Sequence, residues 1–145
     1  MHVRSDRQYR FALPPDELWT AMAASDQYER WWPWLRSFEG GPLEAGVTWS
    51  CTVHPPLPYA LRLDVHLIAV EAPDHVEAVI DGDIVGTASI EIRGAEGGSD
   101  LRLRSDLSPR NRVLQAVALA ARPMVRFGHD WVLDTGARQF AERAI

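Results

Sequence analysis

Apolar and polar residues alternate with a period of two along most of the chain as far as Leu107, and after Pro109 the period changes to 3.6. In the first run, Tyr9, Phe11 and Leu13 share one face and Gln8, Arg10 and Ala12 the other, which predicts a strand from Val3 to Leu13. Pro14-Pro15-Asp16-Glu17 then opens a helix. Proline suits the first turn, where its missing N–H would have no partner, and acids suit the positive end of the helix dipole. A second short helix, capped by Ser25 or Asp26, carries Tyr28, Trp31 and Trp32 and stops at Pro33. Trp34, Leu35 and Phe38 lead into a second strand. Five more alternating runs follow: Val47–Val53, Leu61–Leu67, Val76–Ile80, Ala88–Ile92 and Leu101–Leu107. Asp81-Gly82-Asp83 and the stretch from Gly94 to Asp100 read as hairpin turns.

Beyond Pro109, Val113, Leu114, Val117, Ala121, Met124, Val125, Trp131 and Val132 fall on one side of a helical wheel, with Leu119 and Leu133 as exceptions on the other. The pattern predicts one long helix to near the C-terminus, kinked at Pro123, whose ring clashes with the Leu119 carbonyl. Clean alternation over seven strands means one buried and one wet face, and the short connections mean antiparallel pairing. The buried face needs a cover, and the last helix is the only long element available. The fold class is therefore α+β: a curved seven-stranded antiparallel sheet with two short helices after strand 1 and a long C-terminal helix on its concave face. No linker divides residues 1–145, so a single domain is expected.

Composition narrows the partners. The net charge of −5 argues against a general nucleic-acid binder. All 15 basic residues are arginine, which reads as the composition of a GC-rich bacterial genome. Cys51 is the only cysteine, so no internal disulfide forms. The charged N-terminus lacks the apolar stretch of a signal peptide, and no apolar run approaches the roughly 20 residues of a membrane span, so a cytoplasmic location is expected. HExxH, CxxC, GxSxG and a Gly-rich phosphate loop are all absent, and His2, His54, His66, His75 and His129 have no metal-ligand spacing. No metal or cofactor is expected.

The order of elements resembles the START-like superfamily, also called the helix-grip or birch-pollen-allergen fold. Phe11-Ala12-Leu13-Pro14-Pro15-Asp16-Glu17-Leu18-Trp19 is similar to its first strand and opening helix, and Asp26-Gln27-Tyr28-Glu29-Arg30-Trp31-Trp32-Pro33 to its second helix. Leu43-Glu44-Ala45-Gly46 resembles the turn into its third strand. Arg126-Phe127-Gly128-His129-Asp130-Trp131-Val132 is similar to the C-terminal helix of the bacterial polyketide cyclase/dehydrase-like branch. The resemblance implies an apolar cavity between sheet and helix. It places the loop from His54 to Tyr59, the turn at Asp81-Gly82-Asp83 and the junction at Ser108-Pro109 around the entrance, with His54 or Tyr59 orienting a ligand oxygen. The activities it implies are diverse, from carriage of hydrophobic molecules through polyketide cyclisation to chaperone activation.

The candidate cavity wall follows from alternation: Trp49, Val53, Leu61, Leu63, Val65, Val76, Ile90 and Leu103 from the strands, and Val117, Met124 and Trp131 from the helix. Three rings in Trp31-Trp32-Pro33-Trp34 cannot all point one way, so Trp31 and Trp34 are candidates for the cavity mouth or for a seal between helices and sheet. His129 is the best acid/base candidate, although the adjacent Asp130 diverges from it by about 100° on a helix. Tyr59 and His54 are further catalytic candidates, while Ser105, Cys51 and Arg7 look isolated. The expected partner is a small hydrophobic or aromatic molecule, lipid- or polyketide-like. The alternatives are a cyclase or aromatase performing aldol cyclisation and dehydration, and an interaction module with an exposed patch at Trp31–Trp34. The pattern is compatible with either a monomer or a homodimer.

Overall fold

The computed structural model describes residues 2–145. Seven strands form one antiparallel sheet: β1 (Val3–Phe11), β2 (Leu35–Glu39), β3 (Thr48–Val53), β4 (Leu61–Glu71), β5 (His75–Gly82), β6 (Ile84–Ala95) and β7 (Gly98–Pro109). Their spatial order is β1-β7-β6-β5-β4-β3-β2. The chain thus meanders from β2 to β7, and β7 closes back onto β1 in an unbroken register from Val3 opposite Leu107 to Phe11 opposite Ser99. Between β1 and β2 lie α1 (Pro15–Met22), a 3-10 turn (Ser25–Gln27) and α2 (Tyr28–Trp31).

Alternation sets the faces, as in β5, where Val76, Ala78 and Ile80 are buried and Glu77 and Val79 exposed. Irregularities help to curve the sheet. A bulge between Leu67 and Ala69 offsets β4 against β5, another lies between Arg36 and Glu39, and bulges increase local twist. Gly86, with φ of 153°, lets β6 approach β7 so closely that a Cβ would overlap the Asp106 carbonyl oxygen.

Two details differ from the sequence reading. The Ser25 hydroxyl does not cap a helix; it donates to the Gly41 carbonyl at 3.0 Å, tying the helical segment to the turn before β3. The C-terminal helix is broken, not merely kinked. α3 (Arg112–Ala120) and α4 (Arg122–Ala144) meet at Ala121, which leaves helical geometry at φ −110° and ψ 30°. Pro123 explains the break: it offers no N–H to Leu119 and fits instead into the first turn of a new helix. The Asn111 side chain caps α3, accepting from the Leu114 N–H at 2.9 Å. The break also changes which residues face the sheet. Val113, expected on the buried side, is 73% exposed.

The space between sheet and helices is filled at one end only. There Phe11, Leu18, Tyr28, Trp31, Leu35, Val53, Ile92, Leu101 and Phe140 form a continuous core. Trp31 packs edge-on to Phe140 of α4 at 5.4 Å between ring centres. Trp32 donates to the Gly136 carbonyl and Trp34 to the Gln139 side chain, each at 2.9 Å. Gly136 leaves room for this contact, since a Cβ there would come within 3.2 Å of the Trp34 ring. Arg143 donates to the Trp31 carbonyl at 2.5 Å and fastens the end of α4 to α2.

Candidate functional site

At the other end of this space the sheet and helices do not meet. They enclose a cavity of about 540 Å³, within the usual range for small-molecule sites, roughly 300–1,000 Å³. Its strand walls are Val3 of β1, Val53 of β3, Leu61 and Leu63 of β4, Ile80 of β5, Ile84 and Ala88 of β6, and Leu103, Ser105 and Leu107 of β7. Opposite stand Leu114, Val117 and Ala118 of α3, Ala121 at the break, and Met124, Val125, Gly128, His129, Val132 and Leu133 of α4. The rim comprises Pro55, Pro58, Tyr59 and Ala60 from the β3–β4 loop, Asp83 from the next hairpin, and Ser108 and Pro109.

Of the candidates read from the sequence, Val53, Tyr59, Leu61, Leu63, Leu103, Val117, Met124 and His129 stand on this wall. Trp31, Trp34, Trp49, Val65, Val76, Ile90, Trp131 and His54 do not. Trp31 is buried in the aromatic core, and Trp34 stacks on Trp32 at 5.5 Å against α4. Both seal the filled end, as does Trp49, which packs on Tyr28 and Phe38 and donates to the Gly41 carbonyl at 2.9 Å. Val65, Val76 and Ile90 belong to a second cluster around Leu67, Ala78 and Ile80. They have the right parity but the wrong distance along their strands: alternation fixes the face, not the depth. Trp131 is half-buried outside the wall, and His54 turns its backbone N–H to the Trp34 carbonyl at 2.7 Å.

The helix residues Leu114, Ala118, Val125 and Val132, and Leu133 from the supposed polar side, complete the wall. Leu133 could not be recovered from a single continuous wheel, because the break at Ala121 resets the phase.

Beside the cavity, a row of polar groups links β1 to α4. On β1, strict alternation places Ser5, Arg7 and Tyr9 on the same face as Val3 and Phe11. Arg7 binds Asp130 of α4 at 2.9 Å, and the Tyr9 hydroxyl donates to Asp134 at 2.8 Å. Burial first, and then the Asp134 carboxylate, push the Tyr9 phenol up, so it stays protonated as the donor. Asp130 also meets His129: Nδ1 and Oδ1 are 3.3 Å apart, so the two side chains converge despite their divergent helical directions. Partial desolvation pushes the Asp130 carboxyl up, but its bonds to Arg7 and His129 outweigh this and hold it below the ordinary range.

His129 is 14% exposed, and burial lowers its pKa despite the opposing Asp130, so the ring is neutral at neutral pH. With Nδ1–H donating to Asp130, Nε2 carries the lone pair. Among the described residues, Nε2 has no hydrogen-bond partner; neither does the hydroxyl of Ser105, nor that of Ser5, which pairs with Ser105 across β1 and β7. A buried polar atom left unpaired costs about 1–3 kcal/mol, and a ligand oxygen or hydroxyl can offset that cost. Ser105 is therefore not isolated: it shares the cavity wall with His129. Cys51 lies off this wall, its thiol pushed up to about 11 by burial and then by the Asp64 carboxylate, so at neutral pH it is not a thiolate nucleophile. Arg7 is consumed by its ion pairs.

Comparison with known proteins places this architecture. A structure of the ZhuI aromatase/cyclase from Streptomyces sp. R1128 is similar with a TM-score of 0.79 at 12% identity, over 99% of this chain and 94% of that one. One half of the di-domain ARO/CYC BexL is similar with a TM-score of 0.76 at 10% identity, over 99% of this chain and 50% of that one. The allergen Ara h 8.0201 is similar with a TM-score of 0.70 at 11% identity, over 99% and 98%. At such identities the likeness is one of fold, the helix-grip fold. A search of curated protein sequences gives no match. The model of the family described as polyketide cyclase/dehydrase and lipid transport matches residues 2–144, and the chain belongs to that family.

Proposed function

We propose that the chain binds a small, largely apolar molecule bearing a hydrogen-bonding oxygen, in the cavity between the sheet and α3–α4. The supporting observation is an apolar hollow of about 540 Å³ whose lining residues include Ser105 and His129, each with a polar atom, Oγ and Nε2, buried just behind the wall without a partner. The apolar wall provides affinity in proportion to the ligand area it covers, and the two polar atoms provide orientation. The fold and the family are both compatible with this reading.

The test is displacement of a fluorescent probe, 1-anilinonaphthalene-8-sulfonate, by a panel of fatty acids, sterols and fused-ring phenols. Saturable probe binding that Ala88→Phe abolishes and Ile68→Phe leaves intact is expected, because Ala88 lines the cavity and Ile68 is exposed on the sheet. Probe binding insensitive to Ala88→Phe would refute the reading.

A cyclase-like activity is the second reading, favoured by a neutral His129 among the residues that line the cavity, with its Nε2 unpaired. In an aldol cyclisation Nε2 would take a proton from the carbon beside a ketone. That carbon would bond to a second carbonyl carbon of the same chain, and the imidazolium would return the proton to the resulting alkoxide before loss of water. Orientation by the walls would carry much of the rate. Conversion of a poly-β-ketone thioester, followed by mass spectrometry, is expected to drop about 100-fold or more in His129→Gln, the low end of general-base contributions. Undiminished turnover would remove the histidine from the chemistry.

A further inference from the structure

The segment from Leu107 to His129 contains Arg110, Arg112, Arg122 and Arg126 and not one Asp or Glu, in a chain with 20 acids and a net charge of −5. Within it, α3 reads Arg-Val-Leu-Gln-Ala-Val-Ala-Leu-Ala. Its inner face, Leu114 and Ala118, covers the cavity. Its outer face is also apolar. Val113 is 73% exposed and Leu119 58%, with Ala116 and Ala120 exposed between them, and Phe127 just past the break is 54% exposed. Val117 takes part in both surfaces, lining the cavity while 59% exposed. A helix apolar on all sides is normally buried on all sides. Water is a poor neighbour for this one.

Charge identifies the cover. Arg110 is paired with Asp81 at 2.9 Å and Arg126 with Asp130 at 3.6 Å, but Arg112 and Arg122, at the two ends of α3, make no ion pair among the described residues. Two cations thus bracket a short apolar ridge. The ridge offers few side-chain hydrogen-bonding groups, whereas a protein interface carries about ten direct hydrogen bonds. An anionic bilayer needs only what is present: apolar side chains to enter the acyl boundary and arginines to meet the headgroups. At nine residues, about 14 Å long, α3 is too short to cross a membrane and fits an orientation along its surface.

We infer that α3 is a lipid-surface docking element, which seats the molecule on an anionic bilayer through Val113 and Leu119, flanked by Arg112 and Arg122. The cavity beneath α3 then opens beside the phase in which an apolar molecule resides. Docking does not depend on the proposed ligand and is measurable on the unliganded chain.

The experiment is co-sedimentation of the full chain with vesicles of phosphatidylcholine alone or with 30 mol% phosphatidylglycerol, at low and high salt. Binding to the anionic vesicles that weakens with salt is expected. Val113→Glu with Leu119→Glu should lower partitioning by roughly tenfold or more, and Arg112→Gln and Arg122→Gln by about fivefold each. Ile68→Glu, an equally exposed apolar site on the sheet, should change nothing. All these positions are at the surface, so folding survives, as circular dichroism would verify. The inference is overturned by absent vesicle binding, by binding that the paired glutamates leave intact, or by sedimentation showing that the ridge is covered by a second copy which the same glutamates release.

Discussion

His129 and Gly128 are adjacent residues with opposite tasks. The imidazole is held neutral by burial, so protonation favours the unfolded chain, where the pKa returns to its ordinary 6.5. Above that value both states are neutral and stability is unaffected. As pH falls through it, the unfolded state gains a proton that the folded state resists, and stability declines. Melting temperature should therefore fall more steeply between pH 7.5 and 5.5 in the native chain than in His129→Gln, at about 2–4 °C per kcal/mol of linkage in a chain of this size. Arg7, Asp130 and Arg126 face the same ring; the Asp130 carboxyl, held low, acts in a separate window, stabilising above its ordinary 3.8 and losing that contribution in stronger acid. Gly128 faces Tyr59, whose hydroxyl lies where a Cβ would stand, with Leu57 3.0 Å from that position. Elsewhere in a helix, Gly→Ala stabilises by about 1 kcal/mol. Here Gly128→Ala should destabilise, and in a Tyr59→Ala background should recover most of the helical gain, a coupling that a double-mutant cycle under urea denaturation would measure.

At the scale of elements, the filled and hollow ends are separable. Trp31→Ala should cost about 3–5 kcal/mol of stability by denaturant titration, the usual range for a buried aromatic, while probe affinity at the cavity stays within about twofold in the folded fraction. A large loss of affinity would mean that the two ends are coupled. The same division marks where the sequence was legible. Strand periodicity placed β1 to β7 and their inward faces, and the Pro-Pro-Asp-Glu signal placed α1. Periodicity carries no information on depth, so it assigns Val76 and Ile90 to a wall they do not line and does not single out Val3 and Leu107, which do line it. The tryptophans misled for a related reason. Their size suits a core as well as a pocket, and their partners decide between them: Phe140 for Trp31, Gln139 for Trp34, Tyr28 and Phe38 for Trp49. The polar row Ser5-Arg7-Tyr9 follows from alternation with Val3 facing inward, but the pairing of Arg7 with Asp130 depends on how α4 docks, which no strand pattern encodes.

Across the whole molecule, the hollow trades stability for capacity. A void forfeits the dispersion contacts its lining would otherwise make. Ala88→Phe, which projects a ring into it, should therefore raise the melting temperature of the unliganded protein by a few degrees while removing its uptake of probe. A fall in melting temperature would show instead that the walls already meet around Ala88.

None of the six indoles borders the hollow, and three of them form a belt around the far end of α4. The protein's own ultraviolet emission is thus a poor witness to occupancy and a good one to whether the terminal helix is seated. Loading would pass nearly dark, whereas detachment of α4 would shift the emission to the red. One indole engineered in place of Leu103 would give the empty chamber a voice of its own.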